Sequence, residues 1–168
     1  MSCHGPQHHE AAKRVLRYLK GTMTLGLTYG TSKDLTLQGF SDSDWGGNTE
    51  TRRSTTGYVF MLAGGAVSWA SKTQKTVALS STEAEYMALT ETAKEAIHLR
   101  QTCEFFGFSA TDPVLLHEDN MGAKAMAENV ITTSASKHIN IRHHFIREKV
   151  ADGDVMLVYV RTECDQPI

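Results

Sequence analysis

Two apolar runs, Gly57-Tyr58-Val59-Phe60-Met61-Leu62-Ala63 and Ala66-Val67-Ser68-Trp69-Ala70-Ser71, are separated only by Gly64-Gly65. Runs rich in aromatic and β-branched residues around a glycine pair predict a β-hairpin. A third run, Leu35-Thr36-Leu37-Gln38-Gly39, leads into Phe40-Ser41-Asp42-Ser43-Asp44-Trp45-Gly46-Gly47 and alternates as a half-buried strand does. Three consecutive strands make an antiparallel meander. Helical spacing follows over roughly 81–106, opened by the capping pattern Ser80-x-x-Glu83 and closed by Gly107.

The remaining elements fill in around that frame. Residues 10–20 read as a helix with Ala12, Val15, Leu16 and Leu19 on one side and Gly21 as its stop. Leu25–Tyr29 reads as a short strand, and Thr31-Ser32-Lys33-Asp34 is a polar break and the internal boundary. Val114-Leu-Leu-His-Glu-Asp119 is a compact apolar run, a buried strand ending in acid. A short helix from Asn120 to about Asn129, another over 135–151, a turn at Asp152-Gly153 and a last strand, Val155–Val160, complete the chain. A meander followed by strands joined through helices implies an α/β fold: a five-stranded mixed sheet with helices on both faces.

At 168 residues, 40% hydrophobic and 21% charged, the composition is that of one globular domain. No apolar run approaches the ~20 residues of a membrane span and no signal-peptide pattern opens the chain, so no membrane partner and a cytosolic or nuclear setting are expected. Cys3, Cys103 and Cys164 form neither a disulfide framework nor a zinc motif. The net charge of −2 does not advertise a nucleic-acid binder, but its distribution is uneven. Lys13, Arg14, Arg17 and Lys20 gather in one helix, and Lys137, Arg142, Arg147 and Lys149 in another, around an acidic centre. Such a pattern suits a polyanion held over bound metal ions, or simply solvated helix faces.

The acids carry the chemistry. At period two, Asp42 and Asp44 leave the first strand on one face, which does not separate their roles. Glu83 and Glu85 lie about 200° apart on the long helix. Glu83 is on the solvated side with the capping role. Glu85 lines up with Leu89, Ala93 and Ala96 on the face that packs on the sheet, where a carboxylate needs a metal ion or a basic partner. Asp119 ends its strand, where it or Asn120 caps the next helix. If that strand lies parallel to the first, Asp42 and Asp119 share the carboxyl edge at which open α/β sheets bind ligands. Asp42, Glu85 and Asp119 then make an oxygen site for Mg²⁺ or Mn²⁺.

Gly39-Phe-Ser-Asp-Ser-Asp-Trp-Gly-Gly, Arg53-Ser-Thr-Thr-Gly-Tyr-Val-Phe, Val67-Ser-Trp-Ala-Ser-Lys and Ala78-Leu-Ser-Ser-Thr-Glu-Ala-Glu-Tyr-Met-Ala-Leu resemble the ribonuclease H domain of copia-type retrotransposon Pol polyproteins. Lys137-His-Ile-Asn-Ile-Arg-His-His-Phe-Ile-Arg-Glu and Val158-Tyr-Val-Arg-Thr continue the resemblance. Ala12-Lys-Arg-Val-Leu-Arg-Tyr-Leu-Lys-Gly-Thr resembles the end of the preceding reverse transcriptase region. The resemblance implies a ribonuclease H fold over 31–168, with 1–30 as the reverse transcriptase tail. It implies cleavage of the RNA strand of RNA–DNA hybrids by two divalent ions held by Asp42, Glu85 and Asp119. It favours Asp42 over Asp44 as the catalytic aspartate, leaving Asp44 a substrate-side or turn role.

Substrate contacts are expected from Ser43, Asp44, Arg53 and Asn120 near the site, with Arg142 and Lys149 on phosphates. A reverse transcriptase domain in cis and, for an active element, a virus-like particle are the implied surroundings. The family places a fourth aspartate shortly after the last strand, in a pattern that Gln166-Pro167-Ile168 stops short of. Low activity of this chain alone is therefore expected, and the rival reading is a weak or inactive nucleic-acid-binding or tether domain.

Overall fold

A computed structural model describes residues 5–30, 35–108, 112–129 and 140–161, the stretch 140–143 by its backbone alone. The break at 31–34, the first residues of the 135–151 helix and the chain end at 166–168 lie outside the described residues. The elements are α1 (Pro6–Gly21), β1 (Gln38–Asp44), β2 (Thr55–Leu62), β3 (Gly65–Thr73), α2 (Ser81–Phe105), β4 (Val114–Glu118), α3 (Met121–Glu128), α4 (Asn140–Ala151) and β5 (Val155–Tyr159). They form one sheet in the order β3-β2-β1-β4-β5. The β1–β2 and β2–β3 pairs are antiparallel, and β1–β4 and β4–β5 are parallel.

Alternation along the strands decides which side is core. Phe60, Leu116, Val114, Val155 and Leu157 point to one face and pack with Leu89, Ala93 and Ala96 of α2, Ala123 and Ala127 of α3 and Ile146 of α4. All three helices thus share that face. Gly39 is obligatory there, because a Cβ would lie 2.5 Å from the Phe60 ring and 2.8 Å from Leu116. The opposite face carries the row Trp69, Val59, Phe40, His117 and Val158, with Phe40 stacked on His117 at 4.4 Å. Trp69 and Met156 are exposed on it. Among the described residues, then, helices cover one face of the sheet.

Two local expectations need correction. The hairpin turn is Ala63-Gly64, both left-handed with φ of 52° and 78°, rather than Gly64-Gly65. Positive φ at both positions is the type I′ turn, one of the two-residue turns that match strand twist. Gly65 instead begins β3 and makes room for Tyr29, whose ring would meet a Cβ there at 2.6 Å. Leu25–Tyr29 is irregular, not a strand. Its contacts are made singly: Tyr29 Oη donates to Ala66 O at 2.8 Å, and Gly30 N–H donates to Ala63 O at 2.7 Å. The helix α1 buries none of its residues, and Val15, Leu16, Tyr18 and Leu19 all stand exposed.

Candidate active site

The last paired residues of β1 and β4 are Phe40 and His117. Beyond them the two strands part: Ser41–Asp44 stay paired with β2 and Glu118 with β5, and both strands end at the same carboxyl edge, as the parallel arrangement requires. The start of α2 is brought across that edge by polar contacts. Ser80 Oγ accepts the Glu83 N–H at 3.1 Å, and the Glu83 carboxylate accepts the Leu79 N–H at 2.7 Å. Buried Gln74 donates through Nε2 to Ala84 O at 2.9 Å and to Thr56 Oγ1 at 3.1 Å, tying the helix to β2. Trp45 Nε1 donates to Ala78 O at 3.2 Å and holds the β1–β2 loop against the same approach. The glycine at 122 lets α3 start close to Thr82, which a Cβ would meet at 3.0 Å.

These contacts bring Glu85, Glu118 and Asp119 together, with one carboxylate oxygen from each lying within 4.8 Å of the others. Glu85 is 8% exposed and Glu118 fully buried. Glu118 Oε1 accepts the Asn120 N–H at 3.1 Å, while Oε2 of Glu118 and Oε2 of Glu85 are buried without a hydrogen-bond partner. Among the described residues no Lys, Arg or His forms an ion pair with Glu85 or Glu118. Burial pushes the Glu85 carboxyl up to about 7, and the charges of Asp42 and Asp119 add to the rise. The Ser43 hydroxyl and N–H pull the other way, although the hydroxyl falls short of a full hydrogen bond. Glu118 is pushed up to about 9, by burial first and then by Glu85, against the opposing Asn120 N–H. Glu85 and Glu118 thus lie together without a basic partner among the described residues, and a charge on Glu85 disfavours one on Glu118.

Asp42 lies at the rim. It is exposed, near enough for its charge to act on Glu85 and Glu118, and outside the 4.8 Å group. Ser43 stands beside Glu85. The Asp44 carboxylate folds onto the backbone of Gly47, where a Cβ would fall 1.8 Å from Oδ2, which is the turn role. Arg53 is exposed in the β1–β2 loop, its carbonyl accepting the Asn48 N–H. Asn120 takes the cap of α3, its Oδ1 accepting the Ala123 N–H at 2.9 Å. The side chain of Arg142 lies outside what is described. Lys149 is not at the site: it binds Asp154 at 3.2 Å, Asp152 at 3.3 Å and Glu148 at 3.4 Å, at the amino edge where β4 and β5 begin. A helix returning to start a parallel strand necessarily ends at that edge. Glu118 was the residue to add, and the signal for it was its period-two alignment with Val114 and Leu116.

The sheet order, the three helices on one face and the acidic carboxyl edge define a ribonuclease H fold. RNase H1 from the archaeon Halobacterium salinarum NRC-1 superposes with a TM-score of 0.55 at 18% identity, covering 76% of this chain and 86% of that one. LC11-RNase H1, solved in complex with an RNA/DNA hybrid, gives 0.55 at 14% identity over 76% of this chain and 87% of that one. No protein-family profile matches the chain. Its homologues are retrovirus-related Pol polyproteins of transposons. The polyprotein of transposon TNT 1-94 from Nicotiana tabacum is 43% identical over 158 residues, which is 94% of this chain and 12% of that polyprotein.

Proposed function

We propose that this chain is the ribonuclease H domain of a retroelement polyprotein and cleaves the RNA strand of RNA–DNA hybrids with divalent cations. The observation that carries the reading is the buried meeting of Glu85, Glu118 and Asp119, with two orphaned carboxylate oxygens, at the carboxyl edge of this fold. All-oxygen, anionic donors fit Mg²⁺ or Mn²⁺. When bound, a pair of such ions activates water and stabilises the leaving oxygen of a phosphodiester.

The chain's own residues do the rest. Glu85 and Asp119 would hold the ions, and Asp42 would close the site from the rim. In this reading Asn120, Ser43 and Arg53 meet the ribose and phosphates of the strand being cut. Hybrid is distinguished from duplex DNA by its 2′-hydroxyls rather than by base sequence. Residues 1–30 are the tail of an upstream reverse transcriptase domain in cis, a reading supported by an α1 that buries nothing on the sheet domain.

The test is cleavage of a labelled RNA–DNA hybrid in Mg²⁺ and in Mn²⁺, with Asp42→Asn as control. RNA-strand products that need metal and vanish in the variant are expected. Equal cutting of duplex DNA overturns the hybrid specificity, and metal-independent cutting overturns the mechanism.

A further inference from the structure

We infer that Glu118 is itself a cation ligand, so that this site draws four carboxylates, Asp42, Glu85, Glu118 and Asp119, from residues 42–119 alone. The inference rests on the divalent-cation reading above and extends it to a residue that the sequence comparison assigned no role.

Glu118 is the last residue of β4, paired with Tyr159 of β5, and its carbonyl accepts the Val160 N–H at 3.0 Å. Its backbone is thus fixed by the sheet. Its side chain shares the buried face with Val114 and Leu116, a place where an aliphatic residue would ordinarily stand. One oxygen is satisfied by the Asn120 N–H; the other has no partner and belongs to the acidic group. A purely structural role explains only the first oxygen. Steadying the start of α3 needs a neutral acceptor, which Gln would supply without the cost of a buried carboxylate.

A cation explains the second oxygen. Oxygens at about 2.0–2.1 Å from Mg²⁺ stand about 3 Å apart when adjacent and about 4 Å apart when opposite. A group already within 4.8 Å therefore closes onto one ion, or bridges two, by side-chain adjustments of about an ångström or less each. A ligand borne by the sheet also removes the need for a carboxylate beyond β5 to complete the set.

The experiment measures Mn²⁺ binding to the full 168-residue chain, by the electron paramagnetic resonance signal of free Mn²⁺ and by the rise in melting temperature with Mn²⁺. Glu118→Gln keeps the acceptor for Asn120 and removes only the charge. Glu118→Thr keeps a short acceptor on a side chain suited to a strand, and serves if the first variant folds poorly. In both, affinity for Mn²⁺ falls by about tenfold or more and the metal-induced melting shift shrinks, while the metal-free Glu118→Gln protein melts at or above the parent. Parental affinity in both variants, with affinity lost in Asp119→Asn, overturns the inference and leaves the cation site standing. A parent chain that binds no Mn²⁺ overturns both.

Discussion

The two edges of the sheet both gather acids, and they treat them oppositely. At the amino edge Asp154 binds Arg100 at 3.0 Å and Lys149 at 3.2 Å, and Asp152 and Glu148 share the same lysine. The hydrogen bonds that Lys149 donates to Asp154 and Asp152 raise its affinity for its proton. Each of these charges has an internal partner. At the carboxyl edge Glu85 and Glu118 are more deeply buried, have no basic partner among the described residues and hold their protons into the neutral range. Acids that a protein pairs are part of its scaffold. Acids that it buries together unpaired are the ones the proposed function assigns to cations.

The largest expected effect comes from breaking the unpaired edge. Asp119→Asn lowers metal-dependent hybrid cleavage by about 100-fold or more, since a ligand is lost outright where even a supporting residue is worth about 10–100-fold. Its metal-free melting temperature stays level or rises, because one of several crowded charges is gone. Circular dichroism melts beside the cleavage assay check both halves. A large destabilisation would show Asp119 to be structural.

The pH dependence of the metal-free protein follows. The folded-state pKa values of Glu85, about 7, and Glu118, about 9, lie above the ordinary carboxylate value of 4.5. Between 4.5 and those values the folded chain binds more protons than the unfolded one. Stability is therefore fully present below about 4.5 and declines as pH rises through 7 towards 9. A melting temperature lower by roughly 5 °C at pH 9 than at pH 5 is expected in chelator, with the difference reduced in Mg²⁺. A melting curve that rises over this range would contradict the burial of both acids.

The paired edge gives smaller effects. Asp154→Asn lowers the melting temperature by roughly 2–4 °C and leaves cleavage per folded molecule unchanged. Smallest of all is Lys149→Gln: the salt dependence of hybrid binding keeps its slope, whereas loss of a phosphate-contacting lysine would reduce that slope by about one. A reduced slope would return Lys149 to the substrate.

Much of this edge-to-edge contrast was legible in the residues. The helical offset that set Glu85 inside and Glu83 outside holds, with Glu83 bonded to Leu79 and Glu85 facing β4. The choice of cap between Asp119 and Asn120 stayed open in the sequence, because either side chain reaches a first-turn N–H; the structure gives it to Asn120. Glu118 was masked by its neighbour. Its place on the buried face was readable from alternation, but not the absence of a partner, which depends on what α2 and α3 bring to the edge. The partners of Lys149 were hidden for a different reason: local charge density says nothing about which end of a sheet a helix reaches. Leu25–Tyr29 carries a strand's pattern without a neighbouring strand to pair with, and pairing, not pattern, makes a strand.

Tyr29 has a consequence for how the molecule behaves in a crowded solution. As an outermost strand, β3 offers its open side to any extended chain that drifts past, and such margins seed unwanted association between molecules. Here the Tyr29 hydroxyl takes Ala66 O and the following Gly30 takes Ala63 O, so the turn end of the strand is already claimed. The far end carries Lys72, whose ammonium lies 5.9 Å over the Tyr58 ring. An incoming strand would find the carbonyls of Ala63 and Ala66 at the turn end already taken by the irregular stretch before the sheet.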